Sequence, residues 1–179
     1  MVEEARLEDV GFGLAPVSDG WFVVNVRDAA WIANEAFGAR CVFEADVAVH
    51  RRRPALEPLR FPQLGIKLAV FEPGTPSGLY HSDSAQEDFL VLRGECIARV
   101  EGEERRLRQW DFLHCAPGTR HGFVGAGDGA CMLLMVGART PGRSVEYPEQ
   151  QARSASEAYV GYPHWQPAPR PAVVEEIGD

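Results

Sequence analysis

Lysine is nearly missing from this chain. Of 18 basic side chains only Lys67 is a lysine; the others are arginine. The bias reads as overall composition and marks no site. Basic residues are also outnumbered, since 26 acidic residues leave a formal net charge of −8. Nucleic-acid backbones are held by clustered cations, so this balance excludes a nucleic-acid scaffold. The one basic cluster, Arg51-Arg52-Arg53, runs into Pro54 and reads as a solvated loop, with anion binding as the alternative. No apolar run approaches the ~18 residues that span a bilayer, so no membrane partner is expected. The opening MVEEARLEDV is acidic and lacks the apolar stretch of a secretory leader. Cysteine is scarce as well. Cys41, Cys96, Cys115 and Cys131 include no CxxC pair, and three fall in strand-like runs. Buried reduced thiols and a cytoplasmic setting are expected.

What is present is an ordinary globular composition, 45% hydrophobic over 179 residues, enough for one domain with a real core. Trp21–Val26 (WFVVNV) predicts a strand. Asp28 can cap a short helix running to about Phe37, ended by Gly38. Residues 41–43 read as another short strand, and 50–63 as a proline-containing loop. From Leu64 the texture changes. Short apolar runs broken by Gly and Pro predict strands near 65–72, 78–82, 87–93, 95–100, 104–108, 111–115, 120–124 and 130–137, the signature of a sandwich or closed barrel. Residues 154–159 predict a short helix. Three segments follow: 1–63, an N-terminal arm with strands and a short helix packed on the barrel; 64–137, the barrel core; and 138–179, an extended C-terminal arm, partly disordered. Within that arm, residues 165–179 are expected to be dispensable. Several strands are apolar on both faces, such as Phe89-Leu90-Val91-Leu92. One face fills the barrel, and the other must be covered by the N-terminal segment or by a second subunit. A homodimer is therefore expected.

The chemistry lies in two segments. GTPSGLYHSDSAQEDFLVLRG (74–94) holds His81, Asp83 and Glu87. Side chains alternate along a strand, so 81 and 83 share a face, and Glu87 can point inward from the next strand. WDFLHCAPGTRHGFVG (110–125) has a Pro117-Gly118 turn, after which His121 opens a strand. Imidazole nitrogens and carboxylate oxygens meeting in one cavity can hold a divalent ion: Zn, Fe, Mn, Ni or Cu. Phe89, Val91, Phe123 and Met135 read as pocket wall or core, His114 as a structural histidine, and Cys96 and Cys115 as core residues. Gln86 points outward, and His50 and His164 receive no role.

These segments resemble the two motifs of the cupin superfamily, above all its small single-domain bacterial members. The first motif, G-x5-H-x-H-x3-4-E-x6-G, places His81, Glu87 and Gly94 on family positions. Thr75 takes the first glycine place and Asp83 that of the second histidine. The second, G-x5-P-x-G-x2-H-x3-N, places Gly118 and His121, with Trp110, Ala116 and Gly125 where the family has Gly, Pro and Asn. Fifteen residues, 95 through 109, separate the motifs. The resemblance implies an all-β, double-stranded β-helix (jelly-roll) barrel, and a metal site of His81, Asp83, Glu87 and His121. Asp83 is shorter than a histidine, so it either binds directly, binds through water, or leaves three ligands.

Three functions are consistent with this. One is a metal-dependent enzyme of oxygenase or isomerase type on a small polar molecule. Another is a non-catalytic module that binds a small molecule or a metal. The third is a structural protein with a vestigial site. A fold alone does not choose among them. A further carboxylate or tyrosine lining the pocket would favour the enzyme, and the sequence places none.

Overall fold

The computed structural model describes residues 1–44 and 59–175. Four N-terminal strands come first: β1 (Leu7–Asp9), β2 (Leu14–Pro16), β3 (Trp31–Asn34) and β4 (Gly38–Cys41). Eight strands follow in close succession: β5 (Leu64–Phe71), β6 (His81–Asp83), β7 (Glu87–Arg93), β8 (Glu95–Val100), β9 (Glu103–Arg108), β10 (Phe112–Cys115), β11 (Arg120–Ala126) and β12 (Cys131–Ala138). The C-terminal part adds β13 (Val145–Glu146), helix α1 (Ala155–Ala158), β14 (Gln166–Ala168) and helix α2 (Ala172–Glu175).

Two antiparallel sheets face each other. One has the order β10-β7-β12-β5-β4-β3-β14 and the other β13-β6-β11-β8-β9, with β1 and β2 pairing separately. The core between them takes Ala69 and Phe71 from β5, Phe89 and Val91 from β7, and Leu133 from β12. Cys96, Ala98 and Phe123 meet these from the opposite sheet. The eight strands expected from Leu64 onward are all present, because each is an apolar run bounded by turn residues. The all-β jelly-roll architecture is thus as the sequence implies. All four cysteines are free and buried. Among the described residues no helix is long and apolar enough to cross a membrane.

The outer face of the larger sheet is covered by the chain itself. Leu68, Val70 and Met132 pack with Val24 and Val26 from the N-terminal segment and with Val173 and Val174 of α2. This cover explains why those strands are apolar on both faces.

The N-terminal helix is a correction. Residues 31–34 are a strand, and 35–37 a turn into Gly38, whose φ is +77°. Asn34 sets the turn: its side-chain oxygen accepts from the Ala36 backbone N–H and its amide donates to the Pro163 carbonyl. Trp31 and Ile32 are fully buried on opposite faces of the sheet. Burial on both faces overrides the helix preference of the Asn-Glu-Ala-Phe segment. Trp21–Val26 is likewise not a strand: Trp21 makes a single isolated bridge to Glu4, Val24 and Val26 pack inward, and the segment forms no ladder. The basic cluster at 51–53, Pro54 and His50 lie outside the described residues.

The short helix expected at 154–159 is present, capped by Ser154, whose hydroxyl accepts from the Glu157 N–H. The end of the chain is docked, contrary to the expected dispensable tail. β14 pairs with β3, Trp165 packs against two clusters, and Val174 is buried. The proline-rich composition hid this, because three residues of edge pairing and two apolar anchors leave no periodic pattern. Deleting residues 165–179 should therefore cost at least about 3 kcal/mol of lost burial, roughly 6–12 °C in Tm for a chain of this size. An unchanged Tm by calorimetry would show that the docked tail carries no stability.

Candidate metal centre

His81 opens β6 and lies directly opposite His121 of β11 in the smaller sheet. Glu87 opens β7 in the facing sheet. Its place there depends on Gly137, its cross-strand neighbour on β12. A Cβ on Gly137 would lie 3.1 Å from Glu87 Oε1, so the absence of a side chain lets the glutamate lie across the sheet.

Both imidazoles are locked by backbone. His81 Nδ1 lies 2.8 Å from the Leu79 carbonyl and His121 Nδ1 3.0 Å from the Thr119 carbonyl. A carbonyl only accepts, so each Nδ1 carries the hydrogen and each Nε2 presents its lone pair. Those lone pairs face Glu87 Oε2, at 3.5 Å from His81 and 3.3 Å from His121. His121 is 1% exposed, and neither its Nε2 nor Glu87 Oε2 has a hydrogen-bond partner. A buried polar atom without a partner costs about 1–3 kcal/mol. Two such atoms aimed at one point mark a place for a cation.

The dimensions fit. The donor atoms of His81, Glu87 and His121 all lie within 4.8 Å of one another. Tetrahedral ligands about 2.1 Å from an ion stand roughly 3.4 Å apart, close to the two spacings observed. The backbone carbonyls behind the histidines also provide the outer hydrogen bonds that metal-binding imidazoles use.

Asp83 is not brought into this cluster. It is 2% exposed. Its Oδ1 accepts from the Ala85 N–H at 2.9 Å, and its Oδ2 accepts from Arg143 Nε at 2.6 Å, with Arg143 Nη2 also in contact. The short carboxylate is held by an arginine fork, and its own carbonyl accepts from the Gly118 N–H at 2.7 Å. Asp83 thus braces the loop around Arg143 and the Pro-Gly turn that leads into His121.

The centre forms the floor of a cavity of about 820 Å³. Phe89, Phe123 and Met135 line it as expected, whereas Val91 is in the core. Tyr147 lines it too, in the polar segment after the barrel, where no pattern in the sequence signals it. Its ring stacks on His81 with centroids 5.5 Å apart, and burial pushes its hydroxyl well above the ordinary range. His114 sits on the outer face, its Nδ1 2.7 Å from Asp88 Oδ1. A second cavity, of about 490 Å³, lies at the other end of β7 beside Gly94; its Glu95 and Arg106 are paired with each other.

Comparison with known proteins bears on the fold. Residues 67–137 match the family described as Cupin domain. No curated protein matches the chain. A sugar phosphate isomerase of the cupin superfamily from Silicibacter pomeroyi aligns with a TM-score of 0.55 at 19% identity, over 87% of this chain and 99% of its own. The polyketide cyclase RemF from Streptomyces resistomycificus aligns with a TM-score of 0.51 at 15% identity, over 69% and 83%. At such identities the likeness is one of fold. The match to the Cupin domain family is carried by residues 67–137, and the barrel formed around them shares its fold with these structures.

Of the departures from the family motifs, one has a structural reason and another a conformational cost. Gly125 stands where the family has Asn, and a Cβ there would lie 2.2 Å from the Glu72 carbonyl oxygen. Trp110 stands where the family has Gly and keeps the left-handed conformation, with φ +74°, at roughly 1–2 kcal/mol.

Without an ion, a proton takes the centre. Burial by itself would lower His121, but the neighbouring Cys115 and Glu87 raise it to about 9. Burial by itself would raise Glu87, but His121 and His81 hold it well below the usual carboxylate range. A raised histidine stabilises the fold fully below its unfolded value of 6.5 and loses that contribution as pH passes 9. Metal-free protein should therefore lose on the order of 3 kcal/mol between these limits. Metal-loaded protein should hold its Tm over the same window, because the ion replaces the proton. Parallel pH profiles for the two forms would contradict this.

Proposed function

We propose that this cupin domain is a metal-dependent enzyme acting on a small polar molecule, by isomerase- or oxygenase-type chemistry. The observation that carries the reading is the set of three converging donor atoms, two of them buried and unpartnered, at the floor of an open cavity. His81, Glu87 and His121 would hold a divalent ion. Three protein ligands leave positions open for a substrate oxygen or water, as catalytic sites do and closed structural sites do not. The ion, when bound, would polarise a substrate oxygen or activate a bound water or dioxygen.

The chain supplies the rest. Phe89 and Phe123 exclude water beside the imidazoles. Arg143, held by Asp83, presents a fixed cation at the wall. Tyr147 stays protonated through the neutral range, because its hydroxyl is buried. It can hold or pass a proton to a substrate resting above His81. A tyrosine in that position favours an enzyme over a module that only binds.

The test is consumption of a small-molecule pool. Protein reloaded with Zn, Fe, Mn, Ni or Cu is incubated with a deproteinised cell extract, and depletion is followed by mass spectrometry. At least one polar metabolite should be depleted by wild-type protein, less by Tyr147→Phe, and not by His121→Ala. Full metal loading with metabolites retained but none transformed would make the protein a binding module.

A further inference from the structure

Tyrosine is scarce in this chain and unevenly placed. Of four tyrosines, Tyr147, Tyr159 and Tyr162 line the cavity above the metal centre. The fourth, Tyr80, is engaged elsewhere: its hydroxyl accepts from the Gly102 N–H, and Arg99 lies over its ring. The cavity tyrosines form a continuous wall. Tyr147 stacks on His81 at 5.5 Å, Tyr159 meets Tyr147 edge-on at 5.8 Å, and Tyr162 meets Tyr159 at 5.9 Å. Phe37 backs Tyr159 and Tyr162, at 5.3 and 5.1 Å. Ring by ring, the wall runs from the imidazole of His81 to Tyr162, which is 36% exposed.

Tyr159 is the centre of this wall. Its hydroxyl accepts from the Leu79 N–H at 3.1 Å, and the Leu79 carbonyl holds His81. Gly78 lets the hydroxyl dock, since a Cβ there would lie 3.2 Å from it. The wall is thus tied to the metal centre through one residue of backbone, and a preformed surface costs a ligand little ordering. All four rings lie outside the stretch 67–137 that matches the Cupin domain family. The barrel supplies the metal centre, and the flanking segments supply the wall. Aromatic faces and edges attract flat π systems, in offset or edge-to-face contact, beyond the area they bury. A polyhydroxylated ring would instead need hydrogen-bonding groups. Here Asn34, Ser156 and the Tyr159 hydroxyl are already engaged within the protein.

We propose that the cavity takes a small aromatic compound, bound with an oxygen substituent at the metal centre and its ring against Tyr159. The inference rests on the reading of the cavity as a substrate site above a bound ion and adds the class of the substrate. Full-length, zinc-loaded protein is titrated calorimetrically with acetohydroxamate, cyclohexanecarbohydroxamate and benzohydroxamate, which share one zinc-binding head. Bound zinc is measured in every sample. Benzohydroxamate should bind at least about tenfold tighter than acetohydroxamate, and roughly two- to tenfold tighter than the saturated ring. Tyr159→Leu should cut the ratio of benzohydroxamate to acetohydroxamate affinity at least about threefold, and Tyr159→Phe should keep it. The ratio cancels any effect of either variant on the metal centre itself. In parallel, wild-type protein isotope-labelled at tyrosine alone should show nuclear Overhauser effects between tyrosine ring protons and the phenyl protons. A ratio near one, equal binding of the two rings, or a ratio unchanged in Tyr159→Leu would overturn the proposal. Should Tyr159→Leu fail to fold, absence of the Overhauser effects in wild-type protein overturns it alone. Wild-type protein that fails to hold zinc would sink the metal centre and this inference with it; full zinc without the ring preference would sink the aromatic site alone.

Discussion

The structure turns on one arrangement: a buried carboxylate facing two imidazoles whose hydrogens have already been committed to backbone carbonyls. Neither ring can rotate its N–H toward Glu87 without giving up Leu79 or Thr119. The three lone pairs therefore repel one another unless a cation, proton or metal, lies between them. Much of the local architecture serves to hold this convergence. The β6–β11 register sets the histidines side by side, Gly137 clears room for the glutamate, and the Asp83–Arg143 pair braces the loops at the edge.

The barrel, and the meeting of His81, Glu87 and His121, were largely legible in the amino-acid sequence, for physical reasons. Short apolar runs punctuated by Gly and Pro have few alternatives to closely spaced antiparallel strands. His81, Glu87 and His121 lie at strand starts beside recognisable turns, so their inward direction follows from alternation. Asp83 was legible as a position but not as a partner. Parity along β6 puts it on the face of His81, yet nothing local announces that Arg143, 60 residues later, takes its carboxylate.

What could not be read depends on long-range packing. The stretch 28–37 carries a helix cap and helix formers, but its aromatic and β-branched residues are wanted on both faces of a sheet, and that burial outweighs propensity. Tyr147 and Trp165 come from segments without periodicity. They reach the cavity only because the C-terminal part of the chain closes around Phe37 and Tyr159. Lys67 is a similar case: as a count it looks like compositional bias, and only the pairing of β5 with β12, and of β12 with β7, sets it on the sheet face that carries Phe89 and Glu87.

The central claim is that the ion is held by His81, Glu87 and His121, with Asp83 outside the shell. The most direct measurement is metal titration of His121→Ala and Asp83→Asn beside wild-type protein, with Tm recorded for each. The account predicts that His121→Ala loses stoichiometric binding, since two protein ligands compete poorly with water. Asp83→Asn should still bind one equivalent while its Tm falls, because the ion pair between buried Asp83 and the solvent-exposed Arg143 is broken, at a cost of about 1–3 kcal/mol. Retained binding in His121→Ala, or its loss in a folded Asp83→Asn, would contradict the assignment.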